Sequence, residues 1–259
     1  MDYKNDFLTK NIITYLGNKR KLLKFINEQI SYIIENDEKL STRNKKDIKI
    51  LDIFSGSGIV SRCLKQAGYT VFSNDLEIYS KAINDTFIST NEEDLIDIFK
   101  NIPNSLRKFY KENNIDFKDS FESDNYLNPI NILNSVRDLG SVQSKPYFSI
   151  YYAPKDTKNP NFDSERLFYT QENARFIDSV LEVIFNKNIF DTLKARHIIL
   201  ADLFVKMTTN INTSGTGLFD KEVINRLKKI NDPYPYFRGL VSELGFEIET
   251  INNFISKFR

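Results

Sequence analysis

Asp52-Ile53-Phe54-Ser55-Gly56-Ser57-Gly58 places an acid and two glycines where a chain can turn hard and present its backbone to a ligand. Glycine reaches positive φ without a Cβ penalty, so a Gly-x-Gly turn lets a bound molecule approach the main chain closely. Asp52 can accept hydrogen bonds beside that turn. A second acid, Asp75, follows Gly56 by 19 residues and stands where a carboxylate can accept hydrogen bonds from ribose hydroxyls. A lone Gly-x-Gly is more often a plain tight turn. The glycines and the distant acid together point to a nucleoside-containing cofactor.

These residues need a strand before the loop, a helix after it and a second strand ending at Asp75. The sequence supplies all three. Residues 48–54, IKILDIF, form a short apolar, β-branched run that reads as a buried strand. Residues 57–67 read as a helix stopped by Gly68, and 69–75, YTVFSND, as the second strand. Helices are predicted over 20–36, 78–88, 92–113, 171–186, 188–209 and 220–230, with a polar turn over 208–217. The β-α-β-α order with short connections predicts an α/β fold on a parallel sheet. The third glycine of the dinucleotide fingerprint is missing, since Arg62 and Cys63 follow Ser61. That argues against NAD and toward S-adenosylmethionine, which has no pyrophosphate to rest on a helix N-terminus.

Composition narrows the class. In 259 residues, 41% are hydrophobic, enough for a real core. With 36 basic and 35 acidic side chains, the net charge of +1 advertises no strongly basic nucleic-acid binder, although a local basic face remains compatible. The single cysteine, Cys63, excludes an intramolecular disulfide and a cysteine-cluster metal site, and the single histidine, His197, leaves little for zinc or a catalytic triad. No metal site is expected, and both residues read as structural. The charged N-terminus has no apolar signal core, and no apolar run reaches the roughly 18 residues of a membrane span. A soluble, cytoplasmic protein is expected.

Upstream lies Tyr15-Leu16-Gly17-Asn18-Lys19, an aromatic, a glycine turn and a lysine before an amphipathic helix. Alone it reads as a charged helix start with Tyr15 packed and Lys19 solvated. Taken with the glycine loop about 35 residues later and with Ser73-Asn74-Asp75, it resembles the Dam-type, D12-class adenine-N6 DNA methyltransferases. Segments from Tyr147 to Asp178 and from Ala201 to Gly215 are similar to the target-recognition region of some of these enzymes. The resemblance implies a partial Rossmann-like S-adenosylmethionine-dependent methyltransferase domain with a mostly helical recognition insertion. It implies cofactor contacts from Tyr15, Lys19 and Asp75, with Gly56 and Gly58 shaping the pocket and Asp52 beside them. Double-stranded DNA is the implied substrate. The implied division is 1–113 for cofactor binding, 114–218 for target recognition and 219–259 for a return segment and partner contact.

The family's catalytic motif, Asp-Pro-Pro-Tyr, is not in this sequence. In the family its Asp and a Pro carbonyl accept hydrogen bonds from the target amino group, and its Tyr stacks on the flipped base. Asp232-Pro233-Tyr234 comes nearest, one proline short and after a helix-like run, and reads as a structural turn. No catalytic residue is therefore assigned. About 20 residues after Phe237 look too few for the remaining strands. The expectation is one subunit of a split enzyme, the partner carrying Asp-Pro-Pro-Tyr. A non-catalytic DNA-binding accessory chain and a complete enzyme with a divergent loop stay open. Within the recognition region, Lys145, Lys155, Lys158, Arg166 and the turn from Thr208 to Gly215 read as DNA contacts or as solvated charges. Tyr147, Phe148, Tyr151 and Tyr152 read as base-stacking groups or as the insertion's own small core.

Overall fold

The structure is a computed structural model that describes residues 2–10, 12–13, 17–119, 128–135, 146–161, 164–186, 188–209 and 211. Tyr15, Lys145, most of the turn over 208–217, the helix predicted over 220–230 and Asp232-Pro233-Tyr234 lie outside the described residues. The chain divides into two compact units, Met1–Ile98 with Thr192–Val205, and Phe99–Asp191 with Lys206–Arg259.

The first unit is built on two parallel strands, β1 (Lys49–Asp52) and β2 (Thr70–Ser73), paired in register from Lys49 opposite Thr70 to Asp52 opposite Ser73. Helices α1 (Asp6–Thr9), α2 (Leu23–Asn36), α3 (Ile59–Gln66) and α4 (Ile78–Phe87) accompany them. One sheet face is covered: Ile50 and Val71 pack with Leu64 of α3, Ile30 and Ile34 of α2, and Tyr69. The strands' alternation sends Leu51 and Phe72, register partners, to the other face, where they are 60% and 51% exposed. Both strands are shorter than their apolar runs. The chain leaves β1 after Asp52 because the glycine turn begins there.

Helix α3 is fixed at both ends by glycine. Gly58 precedes it with φ of 73°. At its C-terminus Gly68, φ 94°, lets the Gly68 N–H reach the Lys65 carbonyl and the Tyr69 N–H the Leu64 carbonyl, a Schellman arrangement. Its inner face carries Ile59 and Cys63, packed with Leu8, Ile12 and Leu23. Burial pushes the Cys63 thiol up to about 11. Because the thiolate is the nucleophile, an aromatic disulfide reagent at pH 8 should leave the folded chain unlabelled and label Cys63 only in denaturant. Rapid native labelling, read at 412 nm, would mean that α3 opens readily.

The stretch 92–113 forms two helices, α5 (Glu92–Phe99) and α6 (Ile102–Glu112), where one was expected. Pro103 explains the break: it has no N–H to give, so it suits the first turn of α6 and not a helix interior. The compact unit accordingly closes at Ile98, before the change in sequence character near residue 113. Most of the last described helix, α10 (Leu193–Thr209), belongs to the first unit. Its Ala201 and Val205 bury against Ile13 and Ile83, and Phe204 meets Tyr79 edge-on at 6.5 Å. His197 pairs with Asp85 through Nδ1, and Thr86 Oγ1 donates to the His197 carbonyl at 3.2 Å. That is the structural role expected of the single histidine. The helix starts five residues later than predicted because Thr192 Oγ1 accepts from the Ala195 N–H and caps it there.

The second unit contributes the helices α6, α7 (Asn128–Ser135), the short α8 (Phe148–Tyr151) and α9 (Gln171–Phe185), joined by irregular segments where it is described. Buried Ala174, Ile177, Val180 and Ile184 form the core stripe of α9, and Thr170 caps it by accepting from the Asn173 N–H.

Candidate cofactor site

The glycine loop is held from three sides. From the strand side, the Ser55 N–H donates to the Asn74 carbonyl at 2.9 Å, and the Asn74 side-chain amide donates to the Ile53 carbonyl at 3.1 Å. From the tip of β2, Asp75 Oδ2 accepts the Gly56 N–H at 2.7 Å, while its Oδ1 accepts the Glu77 N–H at 3.0 Å. From α4, Ser80 Oγ donates to the Gly56 carbonyl at 3.0 Å, and Asn84 Nδ2 donates to Ser55 Oγ at 2.9 Å. The turn closes on itself through the Gly58 N–H and the Ser55 carbonyl at 2.7 Å.

Both glycines are required. Gly56 has φ of 52° and Gly58 of 73°, in the left-handed region. A Cβ on Gly58 would also stand 3.2 Å from Asn84 Oδ1 and 3.5 Å from Ile83 Cγ2. Among the described residues the buried Asn84 Oδ1 has no hydrogen-bond partner.

The predicted site residues separate into distinct positions. Asp75 and Gly56 meet directly. Asp52 lies beneath the loop, where Ser61 Oγ donates to its Oδ2 at 2.6 Å and Ser73 Oγ donates to Ser61 Oγ at 2.7 Å. That chain of hydroxyls ties β1, α3 and β2 together behind the turn. Lys19 is exposed and turns back on its own segment, its Nζ donating to the Gly17 carbonyl at 2.8 Å. No hydrogen bond or ion pair joins it to the glycine loop among the described residues.

Beside the exposed Asn74 and Glu77, three large apolar side chains near the loop face solvent. Phe54, Leu76 and Ile78 are 86%, 93% and 90% exposed. An acid able to accept two further hydrogen bonds, with apolar side chains next to it, suits a ribose and its attached base.

The family model of the D12 class N6 adenine-specific DNA methyltransferases matches residues 15–197. The chain belongs to this family. Among relatives of the D12 chain, the Modification methylase LlaI of Lactococcus lactis subsp. lactis is 28% identical over 210 residues, 78% of this chain and 26% of LlaI. The Non-toxic nonhemagglutinin type E of Clostridium botulinum is 27% identical over 199 residues, 71% of this chain and 16% of that protein. The D12 chain thus spans about a quarter or less of the length of these relatives. The D12 family model carries the assignment, because its match begins at Tyr15 and takes in the glycine loop and Asp75 in order. No solved structure matches the D12 chain significantly. Among its described residues no helix is long and apolar enough to cross a membrane.

Ser80 and Asn84 are the D12 chain's loop-holding residues that sequence reasoning missed. The signal was present: the two stand four apart on a helix already predicted over 78–88, so they share one face. A serine and an asparagine on the inner side of a helix are costly unless bonded, and here the glycine loop supplies the partners.

Proposed function

We propose that this chain binds S-adenosylmethionine and is the cofactor-binding and target-recognition subunit of an adenine-N6 DNA methyltransferase, with the catalytic Asp-Pro-Pro-Tyr supplied by a second polypeptide. The observation that carries this is a glycine loop braced by Asp75, Ser80 and Asn84 in a D12-family sequence that lacks Asp-Pro-Pro-Tyr within its 259 residues. When bound, the cofactor supplies a sulfonium methyl for transfer to the adenine amino nitrogen. The chain's own residues bind and orient it. The Asp75 carboxylate accepts from the ribose hydroxyls with the lone pairs that Gly56 and Glu77 leave free, and Leu76 and Ile78 shield the adenine ring. Gly56 and Gly58 let the ligand lie against the backbone. Tyr15 and Lys19 complete the pocket by resemblance, Lys19 releasing the Gly17 carbonyl to do so.

The open sheet supports a second polypeptide. Parallel sheets are normally covered on both faces, yet Leu51 and Phe72 are exposed. The Ile48 and Asp52 carbonyls accept from Thr70 and Asn74, so alternation turns the Lys49 and Leu51 backbone groups away from β2. Beside that edge runs a groove of about 500 Å³ lined by Ile30, Ile33, Ile34, Ile50 and Leu51. A partner strand laid there in parallel would end beside the glycine loop, at the carboxyl edge where ligands of such sheets bind. The LlaI relative, by name a modification methylase, suggests a restriction–modification setting, and with it the cytoplasm.

Calorimetry and a tritiated-methyl assay on duplex DNA test this, with the chain alone and with any Asp-Pro-Pro-Tyr polypeptide that a neighbouring reading frame encodes. Cofactor binding by the chain and methylation only by the pair are expected. No cofactor binding in either state would sink the cofactor role. Adenine methylation by the chain alone would refute the split enzyme and point to Asp232.

A further inference from the structure

A buried arginine joins two parts of the candidate cofactor site. Arg62 stands one turn into α3, where its own N–H donates to the Gly58 carbonyl at 2.9 Å, so its backbone continues directly from the glycine loop. Its side chain runs the other way. The guanidinium passes between the Phe7 and Phe87 rings, and Nη2 donates at 3.1 Å to the Lys10 carbonyl, 52 residues away in sequence. A guanidinium withdrawn from water costs free energy that an apolar side chain in the same place would not. Methionine could fill the space between the rings. It could not hold a main-chain carbonyl.

The carbonyl it holds begins the stretch that leads to Lys19. Ile12 joins Leu23 in one buried cluster with Ile59 and Cys63 of α3, and Ile13 packs in another with Ile83 of α4 and Val205 of α10. Lys19 therefore belongs to a loop whose two ends, Ile12 and Leu23, both rest on α3. Apolar contacts fix the depth of such a loop, but they are non-directional and leave its position along the helix open. The hydrogen bond from Arg62 is directional and fixes that position. The far side of the loop comes back near the same side chain. Burial first, and then the charge of Arg20, neighbour of Lys19, bring the Arg62 guanidinium down to about 10. Helix α4 has a fastening of its own: Lys65 Nζ donates to the Phe87, Ile88 and Thr90 carbonyls at 3.3, 2.9 and 2.9 Å. Ser80 and Asn84 should therefore keep their places on the glycine loop when Arg62 is changed.

We propose that Arg62 is a positioning residue of the cofactor site: through the Lys10 carbonyl it sets where the Lys19 segment stands relative to the glycine loop. Arg62 itself is buried and touches no ligand. It supports the residues that do, as a locked side chain behind a binding site must. The inference rests on the cofactor reading above and goes beyond it by naming the group that registers the two sides of the pocket.

The test is S-adenosylmethionine calorimetry, with a melting curve for each protein, on the full chain as wild type, Arg62→Met, Arg62→Lys, Lys19→Ala and the double variant Arg62→Met with Lys19→Ala. Arg62→Met should bind about tenfold more weakly, the equivalent of one well-placed hydrogen bond, and melt within about 4 °C of wild type. Arg62→Lys, whose ammonium can still donate to the Lys10 carbonyl, should recover most of that affinity. The double variant should lose clearly less than the product of the two single losses, because Arg62 acts through the segment that carries Lys19. With the partner subunit present, Arg62→Met should raise KM for the cofactor and leave kcat nearly unchanged. Wild-type affinity in Arg62→Met overturns the inference, and so do single losses that multiply in the double variant. If Arg62→Met melts far below wild type, Arg62→Lys decides. Affinity that simply follows melting temperature in both means a purely structural arginine and overturns the inference. A wild-type chain that binds no cofactor, alone or with its partner, overturns the functional reading and this inference with it.

Discussion

If Asp75 holds the ribose as proposed, Asp75→Ala is expected to weaken S-adenosylmethionine binding by about 10- to 100-fold, the equivalent of losing one or two hydrogen bonds to a charged group. Two losses combine. The ribose hydroxyls lose their acceptor, and the Gly56 N–H loses the carboxylate that holds it at 2.7 Å. The second loss separates this aspartate from an ordinary ligand contact, because the loop itself then loosens. Asp75→Asn discriminates between the two: its amide oxygen can still accept from the Gly56 N–H, but it carries no charge. Asparagine should therefore recover part of the affinity and most of the thermal stability. Calorimetry and a melting curve on both variants check this. Wild-type affinity in Asp75→Ala would mean that another group holds the ribose.

Arg62→Ala lowers stability by about 3 kcal/mol in urea unfolding, a core-type loss from a charged residue. Arg62 is 1% exposed, and its guanidinium lies between the Phe7 and Phe87 rings, 4.8 and 4.0 Å from their centroids. Its Nη2 donates to the Lys10 carbonyl at 3.1 Å, so the side chain fastens the N-terminal segment to α3. Alanine removes the filling between two aromatics and the tether together. Methionine keeps most of the volume and avoids burying charge, so Arg62→Met should stay within about 1 kcal/mol of the wild type. It should still lose the tether, and cleavage after Lys10 by trypsin should quicken.

The charge has a pH signature. Burial, reinforced by Arg20, brings the Arg62 guanidinium down from its ordinary value to about 10. The unfolded chain then binds this proton more tightly than the folded one. The stability linked to Arg62 therefore rises as pH climbs above about 10 toward the ordinary guanidinium value. The difference between wild type and Arg62→Met isolates that slope from the other groups that titrate there. A flat difference would mean that water reaches the guanidinium.

The glycine loop and its two strands were legible because each depends on a short local signal. Apolar β-branched runs gave β1 and β2, Gly68 stopped α3, and Asp75 marked the tip of β2. The break at Pro103 was equally local and was passed over because the apolar spacing continues across it. What the sequence did not show depends on partners distant along the chain. Whether Asp52 faces a ligand or Ser61 is decided by the packing of α3 on the sheet, not by the residues around Asp52. Lys19 has the right type for a cofactor contact, but type alone does not say whether it reaches the loop or folds onto Gly17. The exposure of Leu51 and Phe72 could not be read from the strands themselves, since an apolar strand reads as buried whether or not anything covers it; only the missing later strands hinted at it.

The contacts that close the glycine loop are all short in sequence. Asp75 reaches Gly56 across 19 residues, Ser80 across 24, and Asn84 reaches Ser55 across 29. Closing loops of this length costs less entropy than closing longer ones, and contacts near in sequence form ahead of distant ones. Everything that shapes the turn has left the ribosome once α4 is made, long before α10 emerges to bury its outer side. The nascent chain can thus complete its turn early and alone. Its assembly waits on neither the second unit nor any other polypeptide.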